Sequence, residues 1–427
     1  MSSRREFPNT FVIVSALILL SAVSTWVIPG AVPQTWQIFS ALYNGFVAQA
    51  GIIVFILIVG GAFQVLNDTG AVSFGIKRFI TRFGKYDRVF LVEVTILFSA
   101  CGAIFGMSEE TIPFVGIVVP VVISLGYDAV LGLLIVYVAA HLGFSAAFLN
   151  PFTVGIAQQM SDVPMFSGMG YRVVCWTFLT ICLIVFVLVY AGKTKGKSAN
   201  PPSLDGEGES GDIRGKAAVL IVFGLTIVAL IVGATCFKWY LPEISALFLG
   251  FGILIGVVSR FSANRIADSF LAGAKDILGA ALVVGLASGI MEILRDGGVI
   301  DLTFNSLQGT LTGGDGVGSI SLMYGIVSVI NLMLPSATAK AAIVIPVLAP
   351  FADMVGVSRQ AMVMAFQFGD GFTNMITPTS GVLIAALGMA KIQYGKWFKT
   401  AWKWILALMF VGFILLLPTV LCEINGF

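Results

Sequence analysis

The chain repeats itself. "VLNDTGAV", ending at Val72, returns as "ILRDGGVI", ending at Ile300, so that Asp68 answers to Asp296 at an offset of 228 residues. The same offset pairs Gly45 with Gly273, Gly51 with Gly279 and Gly61 with Gly289. Farther along, "VVPVVISLG" returns as "LAPFADMVG", pairing Pro120 with Pro350 and Gly126 with Gly356. "LNPFT" then returns as "ITPTS", pairing Pro151 with Pro378. An ordered series of matches at a nearly constant offset marks a duplication, and a duplicated chain folds as two copies of one plan.

Composition sets the solvent for that plan. Of 427 residues, 58% are hydrophobic and 11% charged, where a soluble domain carries about a quarter charged. Several apolar runs are long enough to cross about 30 Å of hydrocarbon as helices. None shows the alternation of a membrane β-barrel strand. The expected class is an all-α polytopic membrane protein embedded in a lipid bilayer. A net charge of +2 gives no reason to expect nucleic acid as a partner. Cys101, Cys175, Cys182, Cys236 and Cys422 lie in or beside apolar runs without paired spacing, and they read as small buried residues. With His141 the single histidine, neither a metal centre nor a cofactor is expected. The first run, Phe11 to Ile28, ends in Trp26 and Pro29 without a clear small-x-small cleavage site, so it reads as a membrane helix with an interfacial anchor rather than a signal peptide.

The charges indicate that the two copies are inverted. Lys77, Arg78, Arg82, Lys85 and Arg88 follow the second apolar run, which places that stretch in the cytoplasm. Its counterpart, 295–317, carries one arginine against Asp296, Asp301 and Asp315, and is expected outside. Residues 161–170 hold no Lys or Arg, whereas their counterpart holds Lys391, Lys396, Lys399 and Lys403. Opposite bias at equivalent positions is the signature of inverted-topology repeats. The expected plan is a first repeat over 1–191, with a hairpin at 89–126 and a broken helix at 129–162. A cytoplasmic linker covers 192–215, an extra helix 216–236 reverses polarity, and the second repeat covers 237–427, with a hairpin at 318–356 and a broken helix at 359–390. This gives about nine transmembrane helices, with the N-terminus cytoplasmic, the C-terminus periplasmic or extracellular, and the hairpins re-entrant because their turns are polar.

Four polar clusters occupy equivalent places in the two copies. The first hairpin turns at Ser108, Glu109, Glu110 and Thr111, and the second at Ser336, Ala337, Thr338, Ala339 and Lys340. The first broken helix holds His141, Ser145, Asn150 and Thr153; the second holds Gln367, Asp370, Thr373, Asn374, Thr377, Thr379 and Ser380. Paired interruptions in corresponding helices point to the midplane site of a secondary transporter. Lys340 stands opposite Glu110 in the repeat and is expected to meet a substrate carboxylate or one of Glu109 and Glu110. Glu109, Glu110, His141 and Asp370 are candidates to carry a coupling proton, although His141 reads first as a hydrogen-bonded packing residue. Asn150, Thr153, Asn374 and Thr377 are candidates to ligate Na⁺. Glu292 and Gln64, equivalent in the repeat, read as interfacial or packing residues. A membrane-embedded enzyme would need a nucleophile–base pair or a metal motif, and a primary pump a Walker-type loop; the sequence contains neither.

"FGMSEETIPF", "PVLAPFADMVGVSRQ", "FQFGDGFTNMITPTSGVLIAALG" followed by "YGKWFK", and the opening "FPNTFVIVSALILLSAVSTWVIPG" resemble the YfcC-type carriers. That family is grouped with four-carbon dicarboxylate carriers and basic amino-acid antiporters in the ion transporter superfamily. The resemblance implies a bacterial inner-membrane protein, usually a homodimer, with a scaffold domain and an elevator-type transport domain. It also implies a substrate site built from the two hairpin turns and the two helix breaks. The turn "SATAK" departs from the glycine-rich turn the resemblance leads one to expect. Two glutamates and Asp370 against one lysine, with no arginine at any cluster, suit an amino acid better than a dicarboxylate. Helix N-termini can nevertheless hold anions, and the dicarboxylate stays as the alternative.

Overall fold

The computed structural model describes residues 10–83, 86–196, 213–237, 239–299, 302, 316–424 and 426–427. Every regular element among them is helical. The first part of the chain runs through α1 (Thr10–Val27), α2 (Gln37–Ala48), α3 (Ala50–Asp68), α4 (Ala71–Phe83), α5 (Asp87–Phe105) and α6 (Thr111–Ser124). It continues through α7 (Ala129–Ser145), α8 (Ile156–Met160) and α9 (Met169–Thr194). After α10 (Ile213–Cys236) come α11 (Leu241–Val258), α12 (Ala263–Asp296), α13 (Gly316–Met333) and α14 (Ala337–Met354). The chain ends in α15 (Arg359–Asn374), α16 (Gly381–Met389), α17 (Tyr394–Leu416) and α18 (Pro418–Leu421). Among the described residues, nine helices are long and apolar enough to cross a membrane. The middle of the expected linker (197–212) and most of the segment 300–315 lie outside the described residues.

The nine long helices are not the nine crossings drawn from the sequence. They include α5 and α13, the first arms of the two expected hairpins, and leave out α7 and α15. Those two are shorter and sit at the centre of the molecule. Every residue from Val130 to Phe148, and from Gln360 to Met375, is buried. A helix buried on all sides must be matched by its neighbours all round, and small residues provide the fit. A Cβ on Gly102 of α5 would fall on the carbonyl of Ala140 in α7, and one on Gly143 of α7 on the carbonyl of Ser99 in α5. Gly371 of α15 presses against Ser145 of α7 in the same way, so the two central helices cross at their interrupted ends.

A second junction brings α2 and α3 onto α12. A Cβ on Gly45 would lie 2.6 Å from the Gly289 backbone nitrogen, and one on Gly60 would lie 2.7 Å from the Ile277 side chain. The sequence indicates one helix near 46–66, but the helical stretch begins at Gln37 and is interrupted at Gln49. Residues 37–45 include Gln37, Ser40, Asn44 and Gly45, so hydropathy alone does not single them out. Close packing of Gly45 against α12 supplies what the apolar pattern lacks. On the far side, Phe186 of α9 and Trp404 of α17 stack at 4.2 Å between ring centroids.

Candidate functional site

The two hairpin turns and the two helix breaks meet at one cavity of about 720 Å³. Ser108, Glu109, Glu110, His141 and Thr153 line one part of it, and Ser336, Thr338, Asn374, Thr379 and Ser380 another. Thr111, Asn150, Lys340, Asp370, Thr373 and Thr377 are not among the lining residues.

The first turn is held by its own polar groups. Gly106 ends α5 with φ +70°, a left-handed conformation that favours glycine, and a Cβ there would run into Asn150. The break after α7 is stitched to the same place, because Phe148 and Leu149 donate their amides to the Ala103 carbonyl at 3.3 and 3.2 Å. Thr111 Oγ1 donates to the Ser108 carbonyl at 2.6 Å, and the Ser108 amide donates to Glu110 Oε2 at 3.0 Å. Glu109 and Glu110 stand at the N-terminal end of α6, where a helix dipole favours negative charge. From the loop before α11, Tyr240 donates its hydroxyl to Glu109 Oε1 at 3.4 Å. The charge of Glu109, then burial, hold that phenol above its ordinary titration range, so it remains a donor.

His141 is fully enclosed beside this turn. Its Nδ1 lies 3.1 Å from the Tyr137 carbonyl, which can only accept, so Nδ1 carries the hydrogen and Nε2 faces Ser108 Oγ at 3.5 Å. Tyr137 lies in a π-helical turn, Leu134–Val138, within α7. Its hydroxyl donates to the Asn374 carbonyl at 2.9 Å, joining the two breaks. Gln367 joins them again, donating to the Phe144 carbonyl at 2.6 Å and to Thr153 Oγ1 at 2.9 Å.

The second turn and second break form a further network, buried at Asn331, Lys340 and Asp370. The sequence sets Lys340 against Glu109, Glu110 or a substrate carboxylate; the structure pairs it with Asp370 instead, and neither side chain has any exposed surface. Asn331 of α13 accepts from Lys340 as well, and donates to the Asp370 carbonyl and to Thr373 Oγ1. Asn374 donates to Asp370 Oδ1 at 3.2 Å. Thr377 and Thr379 share a hydrogen bond of 2.8 Å, and Thr379 donates to the Leu332 carbonyl at 2.8 Å. Ser336 and Ser380 cap the following helices, accepting from the amides of Ala339 (3.5 Å) and Leu383 (3.3 Å). The remaining amides at these N-termini have no partner within their helices. Both ends, Ser336 to Ala339 and Ser380 to Val382, face the cavity.

A profile of the C4-dicarboxylate anaerobic carriers (DcuC) matches residues 32–421. The chain belongs to that family. It is 35% identical over 400 residues to the "Putative basic amino acid antiporter YfcC" of Escherichia coli K12, covering 87% of this chain and 78% of the relative. It is 28% identical over 419 residues to an uncharacterized protein of Haemophilus influenzae, covering 92% and 82%. A structural comparison pairs it with the YdaH transporter of Alcanivorax borkumensis at a TM-score of 0.45 and 17% identity, over 96% of this chain and 97% of that one. The protein is thus an integral membrane transporter of the DcuC/YfcC type, and its family is one of carriers rather than enzymes.

Three residues of this carrier's site are not singled out by its sequence. Glu292 reads there as an interfacial or packing residue, and the structure places it in the cavity lining, paired with Arg295. Its signal is a lone carboxylate inside an apolar stretch of α12. Asn331 and Tyr137 give weaker signals, a single amide in α13 and a single tyrosine in α7. Only the fold brings them to the breaks. Gln64, the repeat partner of Glu292, donates to Asp68 at 2.9 Å on an exposed surface.

Proposed function

We propose that this carrier moves an amino acid bearing a positive charge, or a zwitterion, across the bacterial inner membrane. One observation carries the reading: the cavity is lined by Glu109, Glu110 and Glu292, and no Lys or Arg is among its lining residues. Lys340, the cation that would answer a second substrate carboxylate, is already paired with Asp370. Glu109 and Glu110 would receive the ammonium or guanidinium group. The N-termini of α14 and α16 would receive the single α-carboxylate through their free amides. The name of the Escherichia coli relative, a basic amino acid antiporter, agrees with this charge pattern. The family description, a C4-dicarboxylate carrier, keeps a dianion as the second reading, with both carboxylates held by helix N-termini.

The mode of transport completes the proposal. Two inverted repeats form a scaffold and an elevator-type moving domain in each protomer of a homodimer. The N-terminus is cytoplasmic, the C-terminus lies on the opposite face, and the turns at Ser108 and Ser336 re-enter. Support comes from the nearly constant repeat offset, the opposite charge bias and the meeting of both turns and both breaks at one cavity. Exchange against a second cationic solute needs no coupling ion. Na⁺ coupling would use Asn150, Thr153, Asn374 and Thr377, and proton coupling Glu109, Glu110, His141 or Asp370.

The test is a melting series on purified protein, followed by uptake into proteoliposomes. Arginine, ornithine or a neutral amino acid should raise the melting temperature by mass action, and succinate should not. A rise with succinate alone overturns the amino-acid reading. Uptake with imposed Na⁺ or proton gradients, or with preloaded amino acid, separates the three coupling modes.

A further inference from the structure

Lys340 stands in the first turn of α14, where the positive end of a helix dipole disfavours a cation. Its side chain is nevertheless fully buried. Its ammonium meets Asn331 Oδ1, Asp370 Oδ1 and, at 3.4 Å, the carbonyl of Leu334. These are three oxygens for three N–H donors. The orientation of Asn331 is fixed from behind. Thr373 Oγ1 donates to the Gly369 carbonyl at 2.6 Å, so it must accept from Asn331 Nδ2 at 2.7 Å. The same Nδ2 donates to the Asp370 carbonyl at 3.0 Å, which turns the amide oxygen toward Lys340. Two more oxygens of the cluster, Asp370 Oδ2 and Asn374 Oδ1, are buried without a donor.

The ammonium thus has three oxygen ligands, one each from a carboxylate, an amide side chain and a carbonyl freed between α13 and α14. Asn331 and Leu334 lie at the C-terminal end of α13 and Asn374 at that of α15, where helix dipoles favour positive charge. Neutral amide oxygens, freed carbonyls and one carboxylate at interrupted helices are the surroundings in which transporters hold monovalent cations. We propose that Lys340 is a tethered cation: its ammonium occupies an oxygen-lined site fit for Na⁺, and the second half of the carrier holds its positive charge covalently. The equivalent position in the first half is Glu110, so only the second half is filled this way. This narrows the coupling part of the proposed function and is independent of the substrate.

Ion binding can be read without substrate, so failure here is distinct from failure of the amino-acid reading. Full-length wild type, Lys340→Ala, Lys340→Gln, Asp370→Asn and Lys340→Ala/Asp370→Asn are melted in NaCl and in choline chloride of equal ionic strength. Lys340→Ala is expected to gain a Na⁺-specific rise of several degrees over the wild-type response, and the double variant to lose that gain. Equal Na⁺ responses in wild type and Lys340→Ala overturn the proposal. A wild-type Na⁺ response removed by Asp370→Asn also overturns it, because Na⁺ would then bind beside the lysine. Lys340→Ala that folds only in NaCl supports it in a stronger form. Should neither Lys340→Ala nor Lys340→Gln fold in either salt, Lys340 is only half of a structural ion pair and the proposal falls.

Discussion

Glu109 and Glu110 differ from most charges in the chain because they face a cavity rather than bulk water or a cation on the same wall. Replacing Glu110 with Gln keeps an acceptor for the Ser108 amide but removes the charge. Losing one charged hydrogen bond to a cationic ligand costs about 1.5–3 kcal/mol, or roughly a ten- to hundredfold weaker Kd. Titration calorimetry with arginine should show that loss at an unchanged melting temperature; wild-type affinity would remove Glu110 from the site. Asp370 predicts the opposite pattern. Asp370→Asn strands a buried ammonium, and breaking such a pair costs roughly 3–5 kcal/mol. The variant should melt well below wild type, while Lys340→Met/Asp370→Leu should recover part of the difference; a double variant no more stable than Asp370→Asn would refute the pairing argument. The acidic turn was legible in the sequence, because adjacent carboxylates between apolar runs have no cheap place in a membrane. The partner of Lys340 was not, since repeat alignment gives equivalence between copies and says nothing of contacts within one copy. Asn331 shows the same gap. An isolated amide in an apolar helix acquires meaning only when the fold sets it beside Lys340 and Thr373.

Elements pack here through glycines, and a contrast among glycines tests that directly. Alanine at an exposed helical glycine gains up to about 1 kcal/mol of helix propensity. Gly224 of α10 has no neighbour within 4 Å of where a Cβ would stand, so Gly224→Ala should be neutral or stabilising. At Gly102 and Gly143 the new methyl would strike rigid backbone of the facing helix, and overpacking of this kind costs about 1–3 kcal/mol. Melting curves of Gly102→Ala, Gly143→Ala and Gly224→Ala should separate in that order of sign, and identical curves would deny the close approach of α5 and α7. Helix existence was legible from the apolar runs, and the breaks from Gly, Pro and polar residues at 143–151 and 370–380. Burial was not. The sequence of α7 reads much like that of α9, yet α7 is enclosed on all sides while α9 leaves Val174, Phe178, Ile181 and Val185 exposed. In a membrane both lipid and protein neighbours are apolar, so hydropathy loses the contrast that marks a core in water.

At the scale of the whole molecule, a duplicated plan can be inverted only if an odd number of crossings separates equivalent points of the two copies. The first copy, α1 to α9, ends on the side where it began if α1, α3, the broken α7–α8 and α9 each cross once and the hairpin returns. A second copy starting there would have the same orientation as the first. In the proposed inverted arrangement α10 supplies the extra crossing, and its sides fit that role, because Ile221, Leu225, Val228 and Val232 are all exposed as a lipid-facing helix requires. The basic residues after α3 and those following Ala390 then fall on the cytoplasmic side together. Reporter fusions test the scheme as a unit. Green fluorescent protein joined after Gly196 should fluoresce and alkaline phosphatase there should be inactive. At Phe427 the pattern should reverse, with phosphatase active and the fluorescent fusion dark. A fluorescent fusion at Phe427 would mean that α10 does not cross or that the halves run parallel. The opposite charge bias of equivalent loops would then need another cause. The reversed pattern would leave two copies of one plan facing opposite sides of the membrane with their polar turns at a shared cavity, the arrangement from which alternating access follows by moving one part against the other.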